Sequence, residues 1–179
     1  MTYLISTLIF AVVGTAQLNI FEIEGIFSNA HINALEGHIE EYEYTDDDLL
    51  ILQYSSQEGS AESIEKLNSL LSGYDFPIGV WFGPYKISID YKQLNNFDYI
   101  GFSPGLEINN VSFDESVEKR YCTINICNFE ERKIIVSTNE GIYDNYLIVG
   151  TLGSFIENID FVISDQSIEF FKPSLFERF

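Results

Sequence analysis

The first residues with catalytic potential follow a short apolar run. Leu49 to Leu52 are four consecutive apolar residues, a pattern that predicts a strand buried on both faces. Gln53 to Ser56 (Gln-Tyr-Ser-Ser) follow directly and are polar enough to predict a turn. Functional side chains are common in turns that leave a rigid strand. The first question is therefore whether Gln53-Tyr54-Ser55-Ser56 can do chemistry.

Other residues offer alternatives. The carboxylates of Asp46-Asp47-Asp48 precede the apolar run, and a shifted register would bring Asp48 near the turn. His31 and His38 lie near Glu36 and Glu40, but their spacing fits no metal-ligand motif. Ser55 and Ser56 lack any nucleophile motif that would pair them with a histidine. We therefore predict no metal and no cofactor.

A helix follows the turn. Ser60 is a candidate N-cap, and Ile64, Leu67 and Leu71 recur at helical spacing up to Ser72. Glu62 and Lys66 are four residues apart and favour the same helix. Gly73 is expected to take the left-handed conformation that ends a helix.

The rest of the chain predicts short strands. Tyr, Phe and Ile interleave with polar residues, which favours β structure. Strands are expected at the following segments: 18–27, 31–35, 38–44, 78–81, 85–89, 121–129, 133–137, 146–149, 161–163 and 168–171. Residues 95–110 are expected to form a long loop, and 154–158 a helical turn. The predicted fold class is mostly β, with one amphipathic helix.

Composition limits the partners. The chain has 179 residues, 28 acidic against nine basic ones, and a formal net charge of −19. Nucleic acids and anionic membranes bind positive charge, so both are excluded as expected partners. The chain is long enough for one domain with a substantial core.

The N-terminal segment and two small motifs bear on localisation. Met1 to Ala16 is apolar and ends in small residues, which predicts a secretory signal peptide (1–16) ahead of a single β-rich domain (17–179). Export would make Asn110 a candidate glycosylation site, since Asn110-Val111-Ser112 is a sequon. Along one extended strand Cys122 and Cys127 would lie roughly 16 Å apart, beyond the roughly 7 Å limit for a disulfide, so two free thiols are expected unless the chain turns between them.

The order of these elements resembles the C-terminal lobe of the pepsin-like aspartic proteases. The apolar strand at Leu49 stands where that family runs into its catalytic Asp-Thr/Ser-Gly turn. Phe76 to Ile87 resembles the family's hairpin, and Phe155 to Ser164 with Ile168 to Pro173 resembles its closing helix and strands. The resemblance implies a single pepsin-like lobe over most of the chain from Leu18.

The catalytic position of that family holds Gln53 here. The family's mechanism uses two carboxylates that share a proton, and an amide cannot titrate. The resemblance therefore implies a secreted, non-catalytic lobe that acts by binding, without enzyme activity. A lone lobe would expose its mating surface, so we expect a protein partner, either a second copy or a separate lobe-like chain. Two alternatives stay open: an aspartic protease assembled from two chains, and an unrelated β-rich coat or wall protein.

Overall fold

A computed structural model describes residues 17–56, 58–84, 87–111, 129–130, 133–143, 146–161 and 168–173. Thirteen strands lie in these segments: β1 (Leu18–Ile23), β2 (Ile26–Phe27), β3 (Leu49–Tyr54), β4 (Glu58–Gly59), β5 (Ile78–Phe82), β6 (Ser88–Asp90), β7 (Tyr99–Phe102), β8 (Glu107–Asn109), β9 (Phe129–Glu130), β10 (Lys133–Ile135), β11 (Gly141–Tyr143), β12 (Tyr146–Ile148) and β13 (Ile168–Phe171). The helices are α1 (Asn29–Tyr42), α2 (Ala61–Leu71) and α3 (Leu152–Asn158), with a 3₁₀ turn at Tyr91–Leu94.

A large sheet of seven strands forms the centre of the molecule, in the order β11-β12-β7-β5-β3-β1-β13. Every neighbouring pair is parallel except β11 with β12. Strands buried on both faces are typical of parallel sheets and read as continuous apolar runs. The run at Leu49 is such a strand, and Leu49 to Leu52 are fully buried as predicted.

Helices α1 and α2 contact each other and cover one face of the large sheet. The predicted helix after Ser60 is confirmed as α2: Ser60 Oγ accepts a hydrogen bond from Ser63 N, and Ile64, Leu67 and Leu71 are buried. Glu62 and Lys66 form an ion pair of 2.8 Å. Gly73 does not take the left-handed conformation, so that prediction is wrong.

Helix α1 replaces the two strands predicted over residues 31–35 and 38–44. Ile32, Leu35 and Ile39 recur at helical spacing and are buried against the sheet. Their pattern was hidden because Gly37 was interpreted as a turn, although a glycine inside a helix costs only about 1 kcal/mol. The fold is therefore mixed α/β, with a β-sheet core and three α-helices among the described residues.

Helix α3 covers the opposite face of the large sheet, where Phe155 is fully buried beside Trp81. The order of the strands along the chain explains why α3 lies on this face. From β1 to β12 the parallel strands are added in one direction, whereas β13 is placed beyond β1 in the other direction. Right-handed crossovers put connections of opposite direction on opposite faces. The predicted helical turn at 154–158 is confirmed and belongs to this crossover.

A small sheet of four strands, in the order β6-β8-β10-β9, accompanies the large one. The strands β6 and β8 follow the carboxyl ends of β5 and β7, so the small sheet stands at that edge of the large sheet. Its inner residues Ile89, Ile108 and Ile134 join the core under α1 and α2. The residues that alternate with them form the outer face; they are polar in β6 and β8, and in β10 they are Lys133 and Ile135.

Two further predictions fail here. The expected hairpin over 76–87 does not form, because β5 belongs to the large sheet and β6 to the small one. The expected loop over 95–110 contains β7 and β8. The strand at Ile168 is confirmed, but it pairs in parallel with β1, which a pepsin-like closing hairpin would not do.

Candidate functional site

The turn after β3 lies at the carboxyl end of the large sheet, but its serines hold the backbone. Ser56 is buried, its Oγ donates to the Gly25 carbonyl at 2.6 Å, and it accepts from the Phe27 backbone N–H. Ser55 Oγ donates to the Ile23 carbonyl at 3.1 Å. Both hydroxyls therefore fix the turn between β1 and α1, and neither is placed to attack a substrate.

Gln53 and Tyr54 are the last two residues of β3, so the strand continues two residues further than predicted. The Tyr54 ring is buried among Phe27 and Phe82, and this burial raises the pKa of its phenol despite hydrogen bonds with Ser56 and Gln93. Gln53 is half-buried beside Glu22 and Trp81 in the neighbouring strands. A neutral phenol and an amide offer no general base here.

The other early candidates lie elsewhere. Asp48 precedes β3, at the opposite end of the strand from Gln53, so the shifted register does not occur. Its carboxylate accepts hydrogen bonds from Gln17 N, Thr45 N and Thr45 Oγ, each within 2.9 Å. In the part of the chain that the structure describes, no group of His, Cys, Asp and Glu side chains could hold a metal ion.

The outer face of the small sheet brings together a hydroxyl, a carboxylate and an amine. Ser88 of β6 stands beside Glu107 of β8, and Asn109 stands beside Lys133 of β10. Lys133 Nζ lies 2.7 Å from Glu107 Oε2, and Ser88 Oγ accepts a hydrogen bond from Asn109 Nδ2. Ser88 is exposed, in contrast to Ser56 and Ser103.

This arrangement has the components of nucleophilic catalysis. An exposed serine hydroxyl can attack a carbonyl carbon when a nearby group takes its proton, and a lysine amine is one such group. In the structure Lys133 is paired with Glu107 and makes no hydrogen bond with Ser88. Glu107 thus stands between the two groups and stabilises the ammonium.

Sequence reasoning missed this face, although one signal for it was present. The alternation predicted at 85–89 places Ser88 on the polar side of a strand, and β6 confirms that side. The partners Glu107 and Asn109 were missed because they lie inside the segment interpreted as a loop. Three-residue strands are too short to show a period.

The predicted glycosylation site lies beside this face. Asn110 has φ of 57° and its Nδ2 donates to Asp90 Oδ2 at 2.6 Å. Its modification stays a prediction, as does the absence of a catalytic role for Gln53. The signal segment Met1 to Ala16 and the two cysteines, Cys122 and Cys127, lie outside the described residues. No helix among the described residues is long and apolar enough to cross a membrane.

Comparisons with known proteins now bear on this site. The chain matches no protein-family model and no curated protein. It is similar in fold to solved structures of 1510-N, a membrane-bound stomatin-specific protease. A lysine-to-alanine mutant of that protease in complex with a substrate peptide has a TM-score of 0.60 at 10% identity, covering 90% of this chain and 94% of that one.

Two further structures of the same protease are similar to this chain to the same degree. The one described as the 1510-N membrane protease from Pyrococcus horikoshii, specific for a stomatin homolog, has a TM-score of 0.59 at 9% identity, covering 89% of this chain and 94% of that one. A serine-to-alanine mutant has a TM-score of 0.58 at 9% identity and covers 90% and 100%. At these identities the likeness shows the fold.

These findings correct the pepsin-like interpretation. The large parallel sheet and its similarity to 1510-N show that the resemblance to an aspartic-protease lobe is wrong. The predicted function, a secreted non-catalytic pepsin-like binder, is wrong for the same reason, since the similar structures are those of a protease. They also oppose the prediction of no enzyme activity, and they give no support to an aspartic mechanism.

Proposed function

We propose that this chain is a serine-type peptidase whose reaction takes place on the outer face of the small sheet. Ser88 is the nucleophile and Lys133 the group that accepts its proton. The observation that carries the proposal is the placement of an exposed Ser88 and of Lys133 on either side of Glu107, on one face. Structures of 1510-N with a lysine or a serine substituted, one of them with a bound substrate peptide, support a serine and a lysine as the residue types and a peptide as the substrate.

The reaction needs a rearrangement of the ion pair. Ser88 Oγ attacks the carbonyl carbon of the peptide while its proton passes to the neutral amine of Lys133. The carbon–nitrogen bond then breaks, the leaving amine takes the proton, and water releases the acyl group from Ser88. In the resting structure Lys133 is held 2.7 Å from Glu107, so a substrate must first draw Lys133 away from this carboxylate.

The test uses the full chain and a library of unstructured peptides. We expect Lys133→Ala to lower kcat/KM by about 10²–10⁴-fold, the range for loss of a group that transfers a proton, and Ser88→Ala to lower it at least as much. The matched controls are Ser69→Ala and Lys66→Ala on the exposed side of α2, which should keep the activity of the unchanged protein. Cleavage that survives in the Ser88 variant would contradict the assignment, and so would peptide binding without cleavage by the unchanged protein.

A second variant tests the role of the ion pair. Glu107→Gln removes the charge that holds Lys133, so we expect turnover to rise, by up to about fivefold, since a partly exposed ion pair contributes about 0–1 kcal/mol. The measurement is kcat on the best peptide of the library. A fall in kcat would show that Glu107 helps the reaction and does not compete for Lys133.

A further inference from the structure

Strand β13 lies at one edge of the large sheet, and its four residues are exposed. It has four residues and pairs with β1 alone among the described strands. After it, Lys172 Nζ lies 2.5 Å from Glu24 and 3.3 Å from Glu22, which clamps the end of the strand to β1. Exposed ion pairs of this kind contribute little stability. Besides the backbone pairing with β1, the aromatic ring of Phe171 makes side-chain contacts with Phe21 and His38.

The Phe171 ring stacks on the imidazole of His38 in α1. The two rings stack with centroids 4.7 Å apart and planes at 22°, and Phe21 stacks on the other part of Phe171 at 5.3 Å. His38 Nε2 lies 3.0 Å from the hydroxyl of Tyr44, whose ring meets the imidazole edge-on. His38 is therefore the contact through which α1 holds β13.

Titratable groups surround His38 on three segments of the chain. Glu41 and Tyr42 lie on its own helix, Tyr44 follows that helix, and Glu169 faces it from β13. Burial lowers the pKa of His38, while Glu41 and Glu169 act in the opposite direction and are the smaller effect. A positive charge on the imidazole is therefore disfavoured while β13 is docked.

We propose that His38 is a pH-sensitive latch: its neutral ring holds β13 on the sheet, and its protonation releases the strand from β1. The strand and β1 then separate locally, while the core around β3 stays folded. The Lys172 ammonium lowers the pKa of the Glu24 carboxyl, so Glu24 keeps its charge between pH 5 and 7.5 and this ion pair does not cause the release. This inference is independent of the peptidase reaction.

The experiment is hydrogen exchange of the amides of residues 168–171 in the full chain at pH 7.5 and 5.0, corrected for intrinsic exchange rates, with the β3 amides as the internal reference. In the unchanged protein we expect the opening of β13 to increase by about threefold or more at pH 5.0, relative to β3. His38→Gln can still bond Tyr44 but cannot titrate, and its β13 opening should be equal at the two pH values.

His31→Gln is the matched control. The other histidine is also partly buried with a lowered pKa, but it bonds the Glu24 carbonyl and does not touch β13, so its loss should leave the pH response intact. His38→Phe keeps a stacked ring and covers the case in which the Gln variant is unstable. Equal opening of β13 at both pH values in the unchanged protein overturns the proposal, as does a pH response that persists in both His38 variants.

Discussion

At the scale of single residues, the position of a carboxylate along a strand decides what it does. Asp48 was considered for catalysis, but it lies before β3 and accepts three hydrogen bonds from Gln17 and Thr45. The bonds from the Gln17 and Thr45 backbone tie the start of β1 to the turn before β3. The residue is therefore part of the scaffold.

This role predicts a loss of stability. Asp48→Ala leaves two backbone N–H groups without their partner, so we expect the free energy of unfolding to fall by about 1–3 kcal/mol. The measurement is urea denaturation followed by circular dichroism. Asp47→Ala, an exposed neighbour, is the control and should change stability by less than about 0.5 kcal/mol. An equal effect of the two substitutions would show that the Asp48 bonds contribute nothing.

The same scale shows the limit of motif reasoning. Gln53 and Tyr54 were predicted to follow the buried strand but are its last two residues, so only Ser55 and Ser56 come after it. The hydroxyls of these two serines donate hydrogen bonds to backbone carbonyls. Which serine is exposed depends on contacts with Ile23 and Gly25, about 30 residues away in sequence. Residue types identify candidates, whereas tertiary contacts decide which candidate is free to react.

At the scale of elements, α3 packs so closely on β7 that position 101 has room only for a glycine. A Cβ on Gly101 would lie 2.5 Å from Phe155 Cδ2 and 3.0 Å from Trp81 Cδ1. Phe155 is fully buried and cannot move aside cheaply. The absence of a side chain at Gly101 thus sets how closely α3 approaches the sheet.

Gly101→Ala should therefore destabilise the protein by about 1–3 kcal/mol through overpacking. Gly79→Ala in the adjacent strand β5 is the matched control, because a Cβ there meets Ile51 and Tyr99 at ordinary distances of 3.5 Å. That substitution should be neutral or slightly stabilising. Thermal unfolding of both variants decides the matter, and a Gly101 variant as stable as the Gly79 variant would refute the packing argument.

Long, strongly patterned elements were predictable from the sequence, and short ones were not. Helix α2 carries a cap, an ion pair and three apolar residues at helical spacing, so its local and tertiary signals agree. Helix α1 carries the same spacing but was assigned to strands because of Gly37 and aromatic residues. The apolar runs at Leu49 and Tyr146 are typical of strands in a parallel sheet. Which strand pairs with each of them depends on the crossover connections, and no local sequence pattern encodes those.

At the scale of the whole molecule, the net charge of −19 sets the response to salt. Like charges repel more strongly in the folded chain than in the extended one, and salt screens this repulsion. We expect Tm to rise when NaCl increases from about 10 to 300 mM, over which the Debye length falls from about 30 Å to below 10 Å. Differential scanning calorimetry at fixed pH measures Tm at each NaCl concentration.

The control is a variant with reduced charge, Glu36→Gln with Glu40→Gln on the acid-rich side of α1, whose Tm should rise less with salt. A Tm that falls with salt would mean that ion pairs such as Lys172 with Glu24 outweigh the repulsion.

The pairing of β1 with β13 has a consequence for synthesis on the ribosome. Among the described strands β1 emerges first, and its neighbour β13 emerges last. Until β13 arrives, β1 presents an open row of backbone N–H and C=O groups to other nascent chains. The contact order of this pair is high, so closure is slow compared with local helix formation. During synthesis the edge of β1 therefore stays exposed to aggregation until β13 has left the ribosome.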